Sequence, residues 1–274
     1  LQDDHKRISE SAATALGMIG NTRAVPPLLE VAKSGRTRST RNAAVKALGM
    51  IGDTKAAPVI RLALRDKSEG VRTAVAEALG HMGDPASIPA LKELLNDRSS
   101  TVRFRAIFAM AEIGDKSVAM ELVALLDRKD ERTRIAAATT LGLLGDNSAL
   151  PATVKFLKSR TKWHRFAATI ALIGLGTPES RKLLETRLHD PSYALRALAE
   201  RVLAGDGAKA LIPTLSDDDN DFRRYAAHAF CFFNEPAAIT ALKSARNDSN
   251  CYLREASRLA LRHMKRLESG KRNT

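Results

Sequence analysis

The stretch VRTAVAEALGHMGDPASIPALKELLNDRSS, residues 71–100, is followed by a second Val-Arg pair at Val102 and Arg103. Arg103 stands 31 residues after Arg72, and the pattern around it returns as well. The recurring arginine belongs either to a binding surface or to a scaffold. In a chain with a formal net charge of +13, that choice decides how strongly the charge points to a polyanionic partner.

The period extends through most of the chain. A glycine closing an apolar segment recurs at Gly20, Gly52, Gly83, Gly114, Gly145, Gly176 and Gly205, at spacings of 32, 31, 31, 31, 31 and 29, and Asn234 follows 29 later. Glycine and asparagine tolerate the left-handed conformation that ends a helix, so each marks a C-terminal cap. The Asp or Asn that often follows suits the opening of the next helix. Before each cap, segments such as RNAAVKALGMIG carry Ala and Leu at helical spacing. After it comes a second helical segment such as DPASIPALKELLND, with Pro58, Pro89 or Pro151 early, where a missing N–H costs least. Each repeat is therefore a helix A, a turn, a helix B and a capped turn. Eight such pairs are predicted, the last helix B at about 252–267, preceded by an orphan helix at about 4–19 that looks like a helix B without its partner. A processed or trimmed start is one reading of that orphan.

The bulk composition agrees. A chain of 274 residues that is 44% hydrophobic and 27% charged is expected to fold. With 4% aromatic residues, its core must be built from Ala, Leu, Ile and Val. No apolar run approaches the roughly 18 residues of a membrane span. The opening LQDDHKRISE lacks a basic region followed by an apolar one, so no secretory signal is visible. Cys231 and Cys251 form neither a disulfide framework nor a zinc pattern. Two free thiols in the cytoplasm are the expectation.

Units written D-x5-[VL]-R followed by AAxALGxxGD resemble HEAT repeats, especially the short variety first associated with phycobilisome lyases. The resemblance covers nearly the whole chain. It implies an all-α, right-handed α-solenoid, with A helices convex and B helices lining a concave face, as one elongated domain over 1–268 with a basic tail over 269–274. Such arrays bury a continuous core between neighbours and act through extended surfaces.

Alignment of the B helices makes a column of Arg41, Arg72, Arg103, Arg134, Arg165, Arg196, Arg223 and Arg254. Six residues before several of them stand Asp66, Asp97, Asp190, Asp217 and Asp248, whereas Arg128 and Ser159 occupy the place in two repeats and Ser9 replaces the arginine in the orphan helix. The resemblance implies that these Asp and Arg residues pair between neighbouring repeats. A guanidinium fork suits a carboxylate and free turn carbonyls together. The recurring arginine then belongs to the scaffold.

Positive charge outside that column gathers in KSGRTRSTRNAAVK (33–46), in KFLKSRTKWHR (155–165), and in the tail from residue 262. The first two fall on A–B turns and predict a basic rim of Arg36, Arg38, Lys46, Lys158, Arg160, Lys162 and the only tryptophan, Trp163. Such a rim could follow a phosphate backbone, or simply keep a repetitive protein soluble. SDDDND at 216–221 would repel a polyanion on a later turn. On helix B, the first and fifth positions after each arginine vary most: Asn42 and Lys46, Thr73 and Glu77, Phe104 and Phe108, Ile135 and Thr139, Phe166 and Ile170, Ala197 and Arg201, Arg224 and His228. Phe104, Phe108, Ile135, Thr139, Phe166 and Ile170 are thus expected on a protein-binding groove, or else sealing the core.

No catalytic motif is present: no GxSxG, GxxxxGK[ST] or HExxH. The His-Glu dipeptides of the HEAT-like deoxyhypusine hydroxylases do not occur. His81 and Glu112 occupy equivalent positions in neighbouring repeats, about 10 Å apart on helix-packing distances, which is too far to share an ion. No metal, cofactor or catalytic residue is expected. Two enzymatic precedents, phycobilin lyase subunits and HEAT-like DNA glycosylases, leave no residue signature beyond the repeats. The sequence therefore predicts a monomeric, non-catalytic scaffold or adaptor that takes a helix or an extended acidic or apolar peptide, without membrane contact. Nucleic-acid binding through the rim and tail is the alternative.

Overall fold

The computed structural model describes residues 6–248 except 206 and 234, together with 253, 254, 257, 258, 260, 261 and 264. The closing helix near 252–267 falls mostly outside the described residues. Cys251, the Cys231 side chain, the Asn234 cap and the tail over 269–274 also fall outside them. Among the described residues every regular element is helical.

Two compact units make up the chain, one through Asp115 and one from Lys116, where the repeat alone suggests a single domain. The first unit holds α1 (Lys6–Ile19), α2 (Val25–Ser34), α3 (Arg38–Ile51), α4 (Ala57–Ile60), α5 (Glu69–Met82), α6 (Ile88–Leu94) and α7 (Ser100–Ile113). The second holds α8 (Ala119–Leu125), α9 (Glu131–Leu144), α10 (Leu150–Leu157), α11 (Lys162–Leu175), α12 (Pro178–Glu185), α13 (Tyr193–Leu203), α14 (Gly207–Leu211), α15 (Asn220–Ala229) and α16 (Pro236–Ala245). Odd-numbered helices are the B helices. From α3 to α13 they begin at Arg38, Glu69, Ser100, Glu131, Lys162 and Tyr193, one constant step apart. The next, α15, begins early, at Asn220.

The punctuation is local chemistry. Gly20, Gly52, Gly83, Gly114, Gly145, Gly176 and Gly205 all have φ between 61° and 87°, the region where only glycine is unstrained. Gly52, Gly83, Gly114, Gly145 and Gly176 cap the helices before them, and each N–H reaches back to a carbonyl of the last turn. Asn21, Asp53, Asp84 and Asp146 then accept the N–H two residues on and open short 3-10 turns. Pro58, Pro89 and Pro151 lie in the first turn of α4, α6 and α10.

The B helices stack closely: α1 on α3, α3 on α5 and α5 on α7 in the first unit, and α9 on α11 in the second. Small residues permit this. A Cβ on Gly49 would lie 2.7 Å from the Ala78 Cα, and one on Gly80 would lie 2.8 Å from the Ala109 Cα. The core between helices is mostly Ala, Leu, Ile and Val, with Leu48, Leu79, Ile107 and Leu198 fully buried, and Phe166 and Met110 are buried among them.

Candidate binding surfaces

The arginine column forms a ladder. Arg41 donates from Nε to Asp66 Oδ2 (2.7 Å) and from Nη2 to Oδ1 (3.1 Å), while Nη1 reaches the Gly35 carbonyl. Arg72 repeats this on Asp97 at 2.6 and 2.9 Å and on the Asp66 carbonyl at 2.7 Å. In the second unit Arg165 forks onto Asp190 at 2.8 and 3.0 Å and onto the Ser159 and Arg160 carbonyls. Arg103, Arg134, Arg196 and Arg254 keep the carbonyl contact six residues back. The sequence places Arg128 and Ser159, not aspartate, six residues before Arg134 and Arg165.

Burial alone would raise the Asp66, Asp97 and Asp190 carboxyls. The arginine hydrogen bonds and the N–H groups of Ser68, Ser99 and Ser192 outweigh it and hold all three below the ordinary value. Arg187 also donates to Asp190 and to the Leu157 carbonyl, so two positive forks meet one buried carboxylate. The recurring arginines are committed to the scaffold.

The expected apolar groove differs in the structure. Phe104 and Phe108 are buried and meet each other edge to face, ring centres 4.7 Å apart. Ile135, Thr139, Phe166 and Ile170 are buried as well, and the irregular spacing before α15 explains why. Helix α15 packs on α11 and α13, and the turn Phe230–Phe232 reaches α9 and α11. His228 then lies against the Phe166 ring and within 3.3 Å of Thr139 Oγ1. Phe232 closes over Gly142 and Gly174, where an added Cβ would come within 2.7 and 2.6 Å of its ring. A late repeat of the same unit thus covers Thr139 and Phe166.

What stays open is the polar part of the same register. In the first unit a groove of about 940 Å³ is lined by Glu10 and Thr14 of α1, Arg38, Asn42 and Lys46 of α3, Lys67, Glu69, Thr73 and Glu77 in or before α5, and Thr101 and Arg105 of α7. Asn42, Lys46, Thr73 and Glu77 are the variable first and fifth positions. Arg38 and Lys46, also named for the rim, line this groove. Asn42 Nδ2 donates to the Gly70 carbonyl at 2.7 Å, and Arg105 meets Glu77 at 3.2 Å. Glu10 Oε1 and Thr73 Oγ1 are buried in its wall with no hydrogen-bond partner among the described residues. Sequence reasoning placed Lys67 on the basic edge rather than in this groove and did not name Arg105, which lies off the variable positions. Glu10 and Thr14 are the first and fifth positions after Ser9, but the comparison of variable positions began only with the first arginine.

The remaining rim residues are accessible. Arg36 is exposed on the turn before α3, and Lys158, Arg160 and Lys162 are exposed at the start of α11. Trp163 is half-buried, with the Lys162 ammonium 4.6 Å above its ring. His164 of the same turn is held below the usual imidazole value by burial and by Arg134, against the opposing pull of Asp127. His81 and Glu112 approach to 4.0 Å, well inside the distance expected from helix spacing, because both side chains lean into the gap between α5 and α7. Among the described residues no group of three or more His, Cys, Asp or Glu side chains is placed to hold a metal ion, and no helix is long and apolar enough to cross a membrane.

HEAT-repeat models match residues 33–111, 91–172 and 122–204. The chain belongs to the HEAT-repeat family. A PBS lyase HEAT-like repeat matches residues 10–34. No curated protein matches the chain. Among solved structures, the complex of CpcE and CpcF of phycocyanin lyase from Nostoc is 23% identical, with a TM-score of 0.50 over 88% of this chain and 92% of that one. Human deoxyhypusine hydroxylase in complex with glycerol is 22% identical, with a TM-score of 0.40 over 94% of this chain and 98% of that one. An engineered protein is 19% identical, with a TM-score of 0.46 over 97% and 87%. At these identities the likeness is one of fold.

Proposed function

We propose that the protein is a non-catalytic binding module whose HEAT repeats hold a protein segment in the groove of the first unit. The observation that carries this reading is a pair of buried polar atoms in that groove, Glu10 Oε1 and Thr73 Oγ1, that have no hydrogen-bond partner among the described residues. A desolvated carboxylate oxygen without a donor is costly, and a docked backbone N–H or basic side chain would satisfy it. The groove carries both signs, with Arg38, Lys46 and Lys67 beside Glu10, Glu69 and Glu77. That mixture suits a peptide of mixed charge and disfavours a continuous phosphate backbone. The buried Phe104, Phe108, Ile135, Thr139, Phe166 and Ile170 act in this reading as packing, and the partner is recognised by polar complementarity.

A photo-crosslinking amino acid at Thr73 tests the proposal, with the same group at the exposed Leu62 as control. A discrete polypeptide adduct at position 73 that Lys46→Glu suppresses and position 62 never forms is the expected result. Adducts of equal yield at both positions would overturn it.

A further inference from the structure

The second unit carries a separate surface of different chemistry. Residues 155–165 contain five Lys and Arg residues and no Asp or Glu. Of these only Arg165 is engaged by the ladder, and Lys158, Arg160 and Lys162 point out from one turn. The half-buried Trp163 follows directly. One repeat on, Tyr193 begins α13 as Lys162 begins α11, and it is 55% exposed, its ring edge resting on Phe222.

The two turns are fixed to each other. Arg165 binds the carbonyls of Ser159 and Arg160 together with Asp190, and Arg187 bonds the Leu157 carbonyl and the same Asp190. The Ser192 N–H also donates to Asp190. Cations on one turn and aromatic rings at the head of two adjacent helices are therefore held on a rigid frame. The next turn is acidic, with Asp217, Asp218 and Asp219 in succession, and would stop an anionic strand there.

We infer that this edge binds a short stretch of single-stranded nucleic acid, with phosphates on Lys158, Arg160 and Lys162 and bases stacked on Trp163 and Tyr193. Aromatic rings interleaved with cations are what an unpaired strand needs, because every base can stack while the backbone is neutralised. The Tyr193 ring is open, and at Trp163 a base would take the face on which the Lys162 ammonium now lies, releasing that ammonium to a phosphate. An acidic peptide would use the cations, but only its occasional aromatic or proline side chains could stack on the rings, whereas every base of a strand can. The inference stands on the second unit alone and is independent of the groove reading.

Trp163 is the only tryptophan in the chain, so its emission reports this site directly. Titration with hexathymidylate at about 50 mM salt should quench it saturably, as stacking on the indole requires. With three phosphate contacts, affinity should fall about 20-fold between about 50 and about 200 mM salt. Lys158→Glu with Arg160→Glu should abolish the quench while far-UV circular dichroism stays unchanged, and the neutral Lys158→Gln with Arg160→Gln pair should flatten the salt dependence. Lys46→Glu should change nothing here. Absence of quenching, or oligonucleotide binding by anisotropy that survives charge reversal, overturns the assignment. Equal quenching by hexaglutamate overturns it in favour of an acidic protein segment.

Discussion

Replacing Asp97 by asparagine tests the scaffold role of the arginine column. The Arg72 and Asp97 side chains are 6% and 9% exposed, and two hydrogen bonds of 2.6 and 2.9 Å join them. Asparagine keeps one acceptor oxygen but turns an NH2 donor toward the guanidinium, leaving a buried positive charge without its counter-charge. Losing one partner of such a pair costs about 3–5 kcal/mol, whereas replacing both by apolar groups of similar volume is often neutral. With a urea dependence of about 2 kcal/mol/M, the unfolding midpoint should fall by about 1.5–2.5 M. The double change Arg72→Met with Asp97→Leu should recover most of that loss. Asp66→Asn should cost less, since Arg41 and Asp66 are 19% and 12% exposed. A loss below about 0.5 M for Asp97→Asn, or a larger loss for Asp66→Asn, would refute the argument that burial sets the strength of each rung.

The remaining expectations follow from the same contacts. Asp66, Asp97 and Asp190 have carboxyls held below the usual range, so their stabilisation is complete above an unfolded value of about 3.9 and is lost as pH falls through the lower folded values. Urea midpoints measured from about pH 6 to about pH 2 should therefore decline steeply only below about pH 4, and a flat profile there would remove the ladder as a source of stability. Gly174→Val would set a side chain against the Gly142 backbone, where even an added Cβ would overlap the Cα. It should lower the thermal midpoint of the second unit by forcing α9 and α11 apart, and an unchanged melt would show that the crossing is looser than drawn. Phe104→Ala should destabilise by about 3–5 kcal/mol yet leave crosslinking at Thr73 intact once the variant is folded; loss of the adduct in a folded variant would return this ring to the binding surface.

Much of the fold was legible because each repeat states it in local chemistry. A glycine that must turn left, an aspartate that can accept an N–H, and an arginine six residues after a carboxylate need no distant information. The binding face was less legible, and the errors share a cause. Ile135, Thr139, Phe166 and Ile170 were placed correctly on helix B, but α15 and the turn after it pack onto α9 and α11, and His228 from α15 meets Thr139 and Phe166. Only the shortened step from Arg196 to Arg223 hinted that α15 would depart from the regular stack. Glu10 was legible as the first position after Ser9, but that its carboxylate oxygen is buried without a partner among the described residues is something a sequence cannot display. His81 and Glu112 met because side chains several atoms long close a gap that helix axes alone leave open.

The uniform register of the first unit also makes the repeat an exchangeable part. Excising residues 69–99 would join Ser68 to Ser100 and leave Asp66 six residues before Arg103, the offset it now has to Arg72, while Arg41 would keep Asp66 as its partner. The chain can therefore gain or lose a whole repeat without breaking a rung, shortening or extending its groove by one helix width. In such a protein the length of the ligand footprint can change by duplication of a gene segment, before a single surface residue has been altered.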